Sequence, residues 1–302
     1  MSELILESRP DLREPWLVAA FDGWPNAGGV AVQAMHYLRT KLGAAKFADI
    51  SPEEFYSFAV LRPHAVIEEG VVKGVSFPLN EFYSWKDPGG HRDLILFSGA
   101  EPHRQWRHYL DCVYEVVREF RVARVVSLGA TYDRVPHTLD PRISASANDE
   151  SLVAELTGLG LHLTSYMGPC SIHTVMLEAF KEHHLLSSSL WGHVPHYLQV
   201  GNPPVAGFLL QKLLHMIGIE VDLSDIRLAS EEFQEMLKRF MAEKPEMREY
   251  VRQLEEETVR DGEVSAAPLG ADHLMREVEE FLKQIQQGRG GDDQPPSPGA
   301  AG

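Results

Sequence analysis

Apolar positions along the chain follow two alternating patterns. Short unbroken runs occur at 16–21 (WLVAAF), 93–97 (DLILF), 124–128 (RVVSL) and 186–191 (LSSSLW), followed closely by Gly23, Gly99, Gly129 and Gly192. Runs of this kind belong to strands buried on both faces, where helices cover each side. Between them the apolar residues recur at helical spacing. The stretch 30–42 aligns Val30, Ala34, Tyr37 and Leu38, and 109–120 aligns Cys112, Val113, Val116 and Phe120. Two further helices are predicted at 172–180 and 206–217. The alternation predicts an α/β domain around a mostly parallel sheet.

Two regions depart from this rhythm. From 54 to 85, short aromatic-bearing segments are broken by prolines and glycines, which predicts extended strands or an inserted hairpin. Such an insertion either covers a partner subunit or packs as an edge hairpin on its own core. After Ser224 the composition changes and the apolar residues follow helical spacing. Phe233, Met236, Leu237, Phe240 and Met241 form one stripe, Met247, Val251 and Leu254 a second, and Leu274, Val278, Phe281, Leu282 and Ile285 a third. The expected organisation is an α/β domain over 1–228 carrying the insert at about 54–85, an amphipathic acidic extension over 229–287, and a compositionally disordered tail over 288–302 (GRGGDDQPPSPGAAG).

Charge and cysteine content narrow the function classes. The 302 residues include 28 Lys and Arg against 44 Asp and Glu, a formal net charge of −16. From Ala229 onward there are 17 acidic and 9 basic residues, so half of that charge lies in the extension and tail. A surface this negative repels phosphate backbones and anionic lipid, which argues against nucleic-acid and membrane partners. Two cysteines, Cys112 and Cys170, are too few for a disulfide framework and fit a reducing compartment. No apolar run approaches the roughly 18–20 residues of a membrane span, and the first residues lack a signal-peptide core. A cytoplasmic protein is expected.

Four segments have chemical potential. The loop FDGWPNAGG (21–29) can point backbone N–H groups at an anion, but it matches neither dinucleotide nor phosphate-loop spacing, and Asp22 opposes an anion. Its other reading is a tight turn in which Gly28 and Gly29 allow close packing and Asn26 caps the helix. The loop GATYDRVPHTLDPR (129–142) follows a strand, where open α/β sheets place ligands. There His137 can serve as acid or base, and Asp133, Arg134 and Arg142 can pair with a ligand or with one another. In 191–210, His193 and His196 stand at chelating spacing, but Pro195 between them argues against a helix and hence against a metal site. Cys170 precedes a predicted helix, which either activates the thiol or simply buries it. No catalytic residue, metal or cofactor is assigned.

Taken in order, FDGWPNAGG, GATYDRVPHTLDPR, GPCSIHTVM and VPHYLQVGNPPVAGFLLQKL resemble the proteasome-assembly-chaperone-two family, over roughly 17–223. The acidic helical tail is similar to that of its longer bacterial members. The resemblance implies a three-layer α/β/α sandwich similar to the nucleoside phosphorylase and hydrolase fold, and self-association into symmetric oligomers. It also implies proteasome assembly for eukaryotic and archaeal members, while some bacterial ones have carried a carboxylate–amine ligase label. The chain departs from the pattern at its end. Ala300, Ala301 and Gly302 replace the hydrophobic–tyrosine–any-residue tripeptide by which such chaperones dock on the proteasome ring, so that mode is not expected. Neither are the lysines and carboxylates of a ligase nucleotide site evident.

Two functions are therefore expected, from different classes. The first is a non-catalytic, self-associating, assembly-chaperone-like scaffold that uses Phe233, Leu237, Leu274, Phe281 and Leu282 as oligomer or partner contacts. The second is a small-molecule-binding protein or an enzyme of ligase or hydrolase type, for a nucleoside-like or carboxylate ligand. Its crevice lies at the carboxyl ends of the strands, where Gly23, Trp24, Asn26 and Gly28 meet Gly129, His137 and Arg142.

Overall fold

The computed structural model describes residues 3–261. In chain order its elements begin with β1 (Leu4–Leu6), β2 (Trp16–Asp22), α1 (Val30–Leu42), β3 (Ala45–Ile50), β4 (His64–Glu68), β5 (Val71–Ser76) and β6 (Glu81–Trp85). They continue through β7 (Leu94–Ala100), α2 (Trp106–Glu119), β8 (Arg124–Asp133), β9 (Ile143–Ala147), α3 (Val153–Gly158) and β10 (His162–Leu163). Last come α4 (Ile172–Glu182), β11 (Ser187–Pro195), α5 (Pro203–Ile217), α6 (Ser224–Glu243) and α7 (Pro245–Asp261).

Nine strands form one sheet in the order β1-β3-β6-β7-β2-β8-β11-β9-β10. The four predicted apolar runs are its central strands β7, β2, β8 and β11, all parallel. Their even-numbered residues, such as Val18, Leu96, Val126 and Leu190, face a core shared with α1, α3 and α5. Odd-numbered residues such as Leu17, Phe21, Phe97 and Val125 face a second core under α2 and α4. The result is a three-layer α/β/α sandwich. The expectation of a mostly parallel sheet holds for this centre and for the edge pair β9–β10, which is also parallel. On its flanks β6 returns antiparallel to β7, β3 to β6, β1 to β3, and β9 to β11. These short flanking strands mix polar and apolar residues, so no continuous run announced them.

The insertion divides in two. β6 joins the main sheet, and Phe55 and Tyr56 are buried in the second core. Among the described residues β4 and β5 pair only with each other, and every residue of both strands is exposed. The helical extension starts at Ser224, where the composition changes and just ahead of the expected boundary at 229, and Ile226 of α6 packs in the first core against Gly207 of α5. α6 and α7 then close on Tyr197, Leu198 and Val200 to form a third cluster. Phe233 and Leu237 are buried in that cluster by the chain's own residues, so they do not face outward for a second copy as expected. Leu274, Phe281 and Leu282, with the expected tail at 288–302, lie outside the described residues. No described helix is long and apolar enough to cross a membrane.

Candidate functional site

The sheet's second face changes character toward β8, β11 and β9. Where the centre is apolar, the same stripe here reads Gly129, Thr131 and Asp133 on β8, then Trp191 and His193 on β11. On the far side Arg142 precedes β9, which contributes Ser144 and Ser146. The alternate positions Ala130, Leu190, Val194, Ile143 and Ala145 are buried in the first core, which fixes the register of all three strands. A crevice of about 440 Å³ opens above this polar stripe. Trp24, 64 % exposed, and Tyr166 stand on its walls, and Ser171, which caps α4, and Thr174 in the first turn of α4 also line it. It lies at the carboxyl ends of β2, β8 and β11, where open α/β sheets place ligands.

Three of these residues are hydrogen-bonded in series. Oδ2 of Asp133 lies 2.7 Å from Nδ1 of His193, and Nε2 of His193 lies 2.8 Å from Oγ of Ser144. The other carboxylate oxygen, Oδ1, accepts the backbone N–H of Arg134 at 2.7 Å. Burial works to raise the Asp133 carboxyl, but the His193 hydrogen bond and charge, the Arg134 N–H and Arg142 together hold it below the usual carboxylate range. An ionised Asp133 only accepts, so Nδ1 of His193 donates to it, while Nε2 of His193 faces the Ser144 hydroxyl. Ser144 was not among the sequence candidates. The alternation of ISASA (143–147) is its only local signal, because its partners lie on other strands.

Deeper along the same stripe, His173 of α4 is fully buried. Its Nδ1 lies 2.9 Å from Ser127 Oγ and 3.2 Å from Ser189 Oγ, and burial pushes its pKa down to about 3.

The predicted ligand residues separate into three groups. Trp24 and Arg142 line the crevice. Asn26 caps α1: its side-chain oxygen accepts from Ala31 and Val32 N–H at 2.9 and 3.3 Å, and its amide donates to Asp22. Gly23 makes the turn before it with φ of 105°. Gly28, with φ of 59°, donates its N–H to Tyr132 Oη and sits so close to Val200 that a β-carbon would lie 2.9 Å from its carbonyl oxygen. Gly129 is buried beneath the Trp191 indole. His137 belongs to a neighbouring cavity of about 370 Å³, bounded by Phe208 of α5 and by Phe233 and Leu237 of α6. Its Nδ1 pairs with Tyr197 Oη at 2.8 Å, and burial lowers its pKa to about 4, against the opposing charge of Glu255. Arg142 and His193 form the wall between the two spaces.

Metal-ligating types converge elsewhere. Among the described residues, Glu3, His108 and Cys112 place one ligand atom each within 4.8 Å of one another. Burial, with Glu3, Glu115 and Asp111 nearby, pushes the Cys112 thiol up to about 12. His193 is engaged by Asp133 and Ser144, and His196 Nε2 pairs with Tyr250 Oη at 2.8 Å, so this pair does not converge on a shared ion. Cys170 is exposed on the crevice rim.

A comparison with curated proteins returns no match. Solved structures do match. A protein of unknown function from Corynebacterium glutamicum shares the fold at 22% identity, with a TM-score of 0.79 over 86% of this chain and 98% of that one. A PAC2 family protein from Streptomyces avermitilis and a proteasome-assembly chaperone homologue from Mycobacterium tuberculosis are each 31% identical, with TM-scores of 0.72 over 78% of this chain and 99% of theirs. An archaeal proteasome activator from Pyrococcus furiosus shares the fold at 22% identity, with a TM-score of 0.64 over 80% of this chain and 99% of that one. The model of the PAC2 family matches residues 20–241, from the middle of β2 to near the end of α6. That span takes in the central strands, the crevice and the helices that cover both faces, and with it the chain belongs to the PAC2 family.

Proposed function

We propose that the protein is an assembly-chaperone-like scaffold that self-associates through the β4–β5 hairpin and presents a rigid α/β/α platform to a protein partner. The hairpin is the observation that carries this reading. Val66, Ile67, Val71, Val72 and Val75 are each more than half exposed on two strands that, among the described residues, pair with no other strand. A two-stranded ribbon is marginal in water by itself, and an apolar one gains stability once covered. A second copy of this chain is the fitting cover. Glu68 and Glu69 at the turn and Lys73 on β5 give the hairpin both signs of charge, which a two-fold-related hairpin can pair. The M. tuberculosis relative, described as a proteasome-assembly chaperone homologue, supports the same role in assembly. Free Cys112 and Cys170 suit a reducing cytoplasm.

Sedimentation velocity tests the reading. The intact protein is expected to sediment as an oligomer, and Ile67→Glu with Val72→Glu to sediment as a monomer with an unchanged melting temperature. A wild-type monomer at every concentration, or an unaltered oligomer in the double variant, would overturn it.

A further inference from the structure

The crevice carries a chemistry that a scaffold does not require. Asp133, His193 and Ser144 supply an orienting carboxylate, an imidazole whose second nitrogen faces a hydroxyl, and that hydroxyl, at 2.7 and 2.8 Å. This is the geometric signature of an activated serine, which is recognised by roles and distances on any fold. The series is anchored on three adjacent strands rather than on a loop, so its geometry is held by sheet register. Ser144 is only 8% exposed, yet it lies in the lining of the 440 Å³ crevice, as do both of its partners.

A recognition element stands beside it. Arg142 is two residues before Ser144 and lines the same space, and its Nε is buried without a hydrogen-bond partner among the described residues. A guanidinium with an unused buried donor favours a carboxylate. Trp24 and Tyr166 offer exposed ring faces on the walls, suited to an aromatic group. By contrast, the His173 cluster has hydroxyls but no carboxylate and is sealed from solvent, so it offers no equivalent route.

We propose that this crevice is a serine-hydrolase site in which Ser144 is the nucleophile, His193 its base, Asp133 the residue that orients the base, and Arg142 the anchor for the substrate's carboxylate. The substrate class is an ester that carries an aromatic ring and a free carboxylate. Ser144 Oγ bonds to the ester carbonyl carbon while its proton passes to His193 Nε2. The bond from that carbon to the leaving oxygen then breaks, and the leaving alcohol takes the proton from His193. Water, deprotonated by the same nitrogen, attacks the acyl-serine, releases the acid and restores the hydroxyl.

The test uses the full chain. Incubation with a fluorophosphonate, followed by peptide mapping, is expected to place one adduct per chain on Ser144, and Ser144→Ala and His193→Gln to lose it. Hydrolysis of 4-acetoxybenzoate is expected to fall about 10²–10⁴-fold in His193→Gln. Arg142→Gln is expected to raise KM for 4-acetoxybenzoate about tenfold more than for the neutral 4-methylphenyl acetate. An unmodified Ser144 in the folded wild-type protein overturns the proposal without any variant. Wild-type turnover in a folded Ser144→Ala protein also overturns it, and equal KM changes for the two esters remove Arg142 from its assigned part. None of these readings depends on the hairpin, so failure here leaves the scaffold reading standing.

Discussion

The indole of Trp191 lies directly against Gly129 of the neighbouring strand. The two residues are paired in the β8–β11 register, and a β-carbon at position 129 would lie 2.9 Å from Trp191 Cδ2. Trp191 in turn donates its indole N–H to Ser189 Oγ at 2.8 Å and forms one side of the crevice. Gly129 is thus required by close approach rather than by backbone conformation. Gly129→Ala is expected to displace the indole and destabilise the fold by about 1–3 kcal/mol, the usual cost of overpacking. Urea denaturation measures it. In a Trp191→Ala background the same change is expected to cost much less, because the clash is gone.

Acid is expected to weaken the fold through two buried imidazoles. His173 and His137 have folded-state pKa values lowered by burial to about 3 and about 4, from 6.5 when solvated. Between about 4 and 6.5 the unfolded chain binds more protons than the native one. Stability from these groups is therefore complete above pH 6.5 and declines as pH falls, by about 1.4 kcal/mol per pH unit for each group across the window. Urea midpoints at pH 7.5, 6.0 and 5.0 should decrease in that order, and His173→Gln should flatten the slope.

The helical extension is held by its own chain. Leu237 is 1% exposed between α6, α7 and the segment around Tyr197, and it also bounds the cavity beside His137. Leu237→Ala is expected to destabilise by about 2–5 kcal/mol, the range for large-to-small changes in a core. The loss should appear in chemical denaturation, with faster amide exchange in α6 and α7 than in the central strands.

The centre of the fold was legible in the sequence because strands buried on both faces show continuous apolar runs. The helix at 30–42 was readable to the residue, since its stripe is clear and Gly43 closes it in a left-handed conformation. β1, β9 and β10 were not foreseen: they are two to five residues long, and their positions follow from pairing with distant strands. For the same reason the site was only half legible. Asp133, His193 and Arg142 drew attention as residue types, but Ser144 is 49 residues from His193 and meets it only through the β9–β11 register. His137 was expected beside Trp24, yet the chain turns between Asp133 and Arg142 and carries it into the neighbouring cavity. The insertion was seen as a hairpin, while its detachment from the core depends on β6 alone joining the sheet.

Amide hydrogen exchange in the β4–β5 hairpin of the intact protein tests the central claim most directly. Self-association through this ribbon predicts that amides between Val66 and Val75 are protected at high protein concentration and lose that protection on dilution, while β2 and β8 stay protected throughout. Exchange in the hairpin at the rate of an uncovered ribbon, unchanged across the same concentration range, would contradict it.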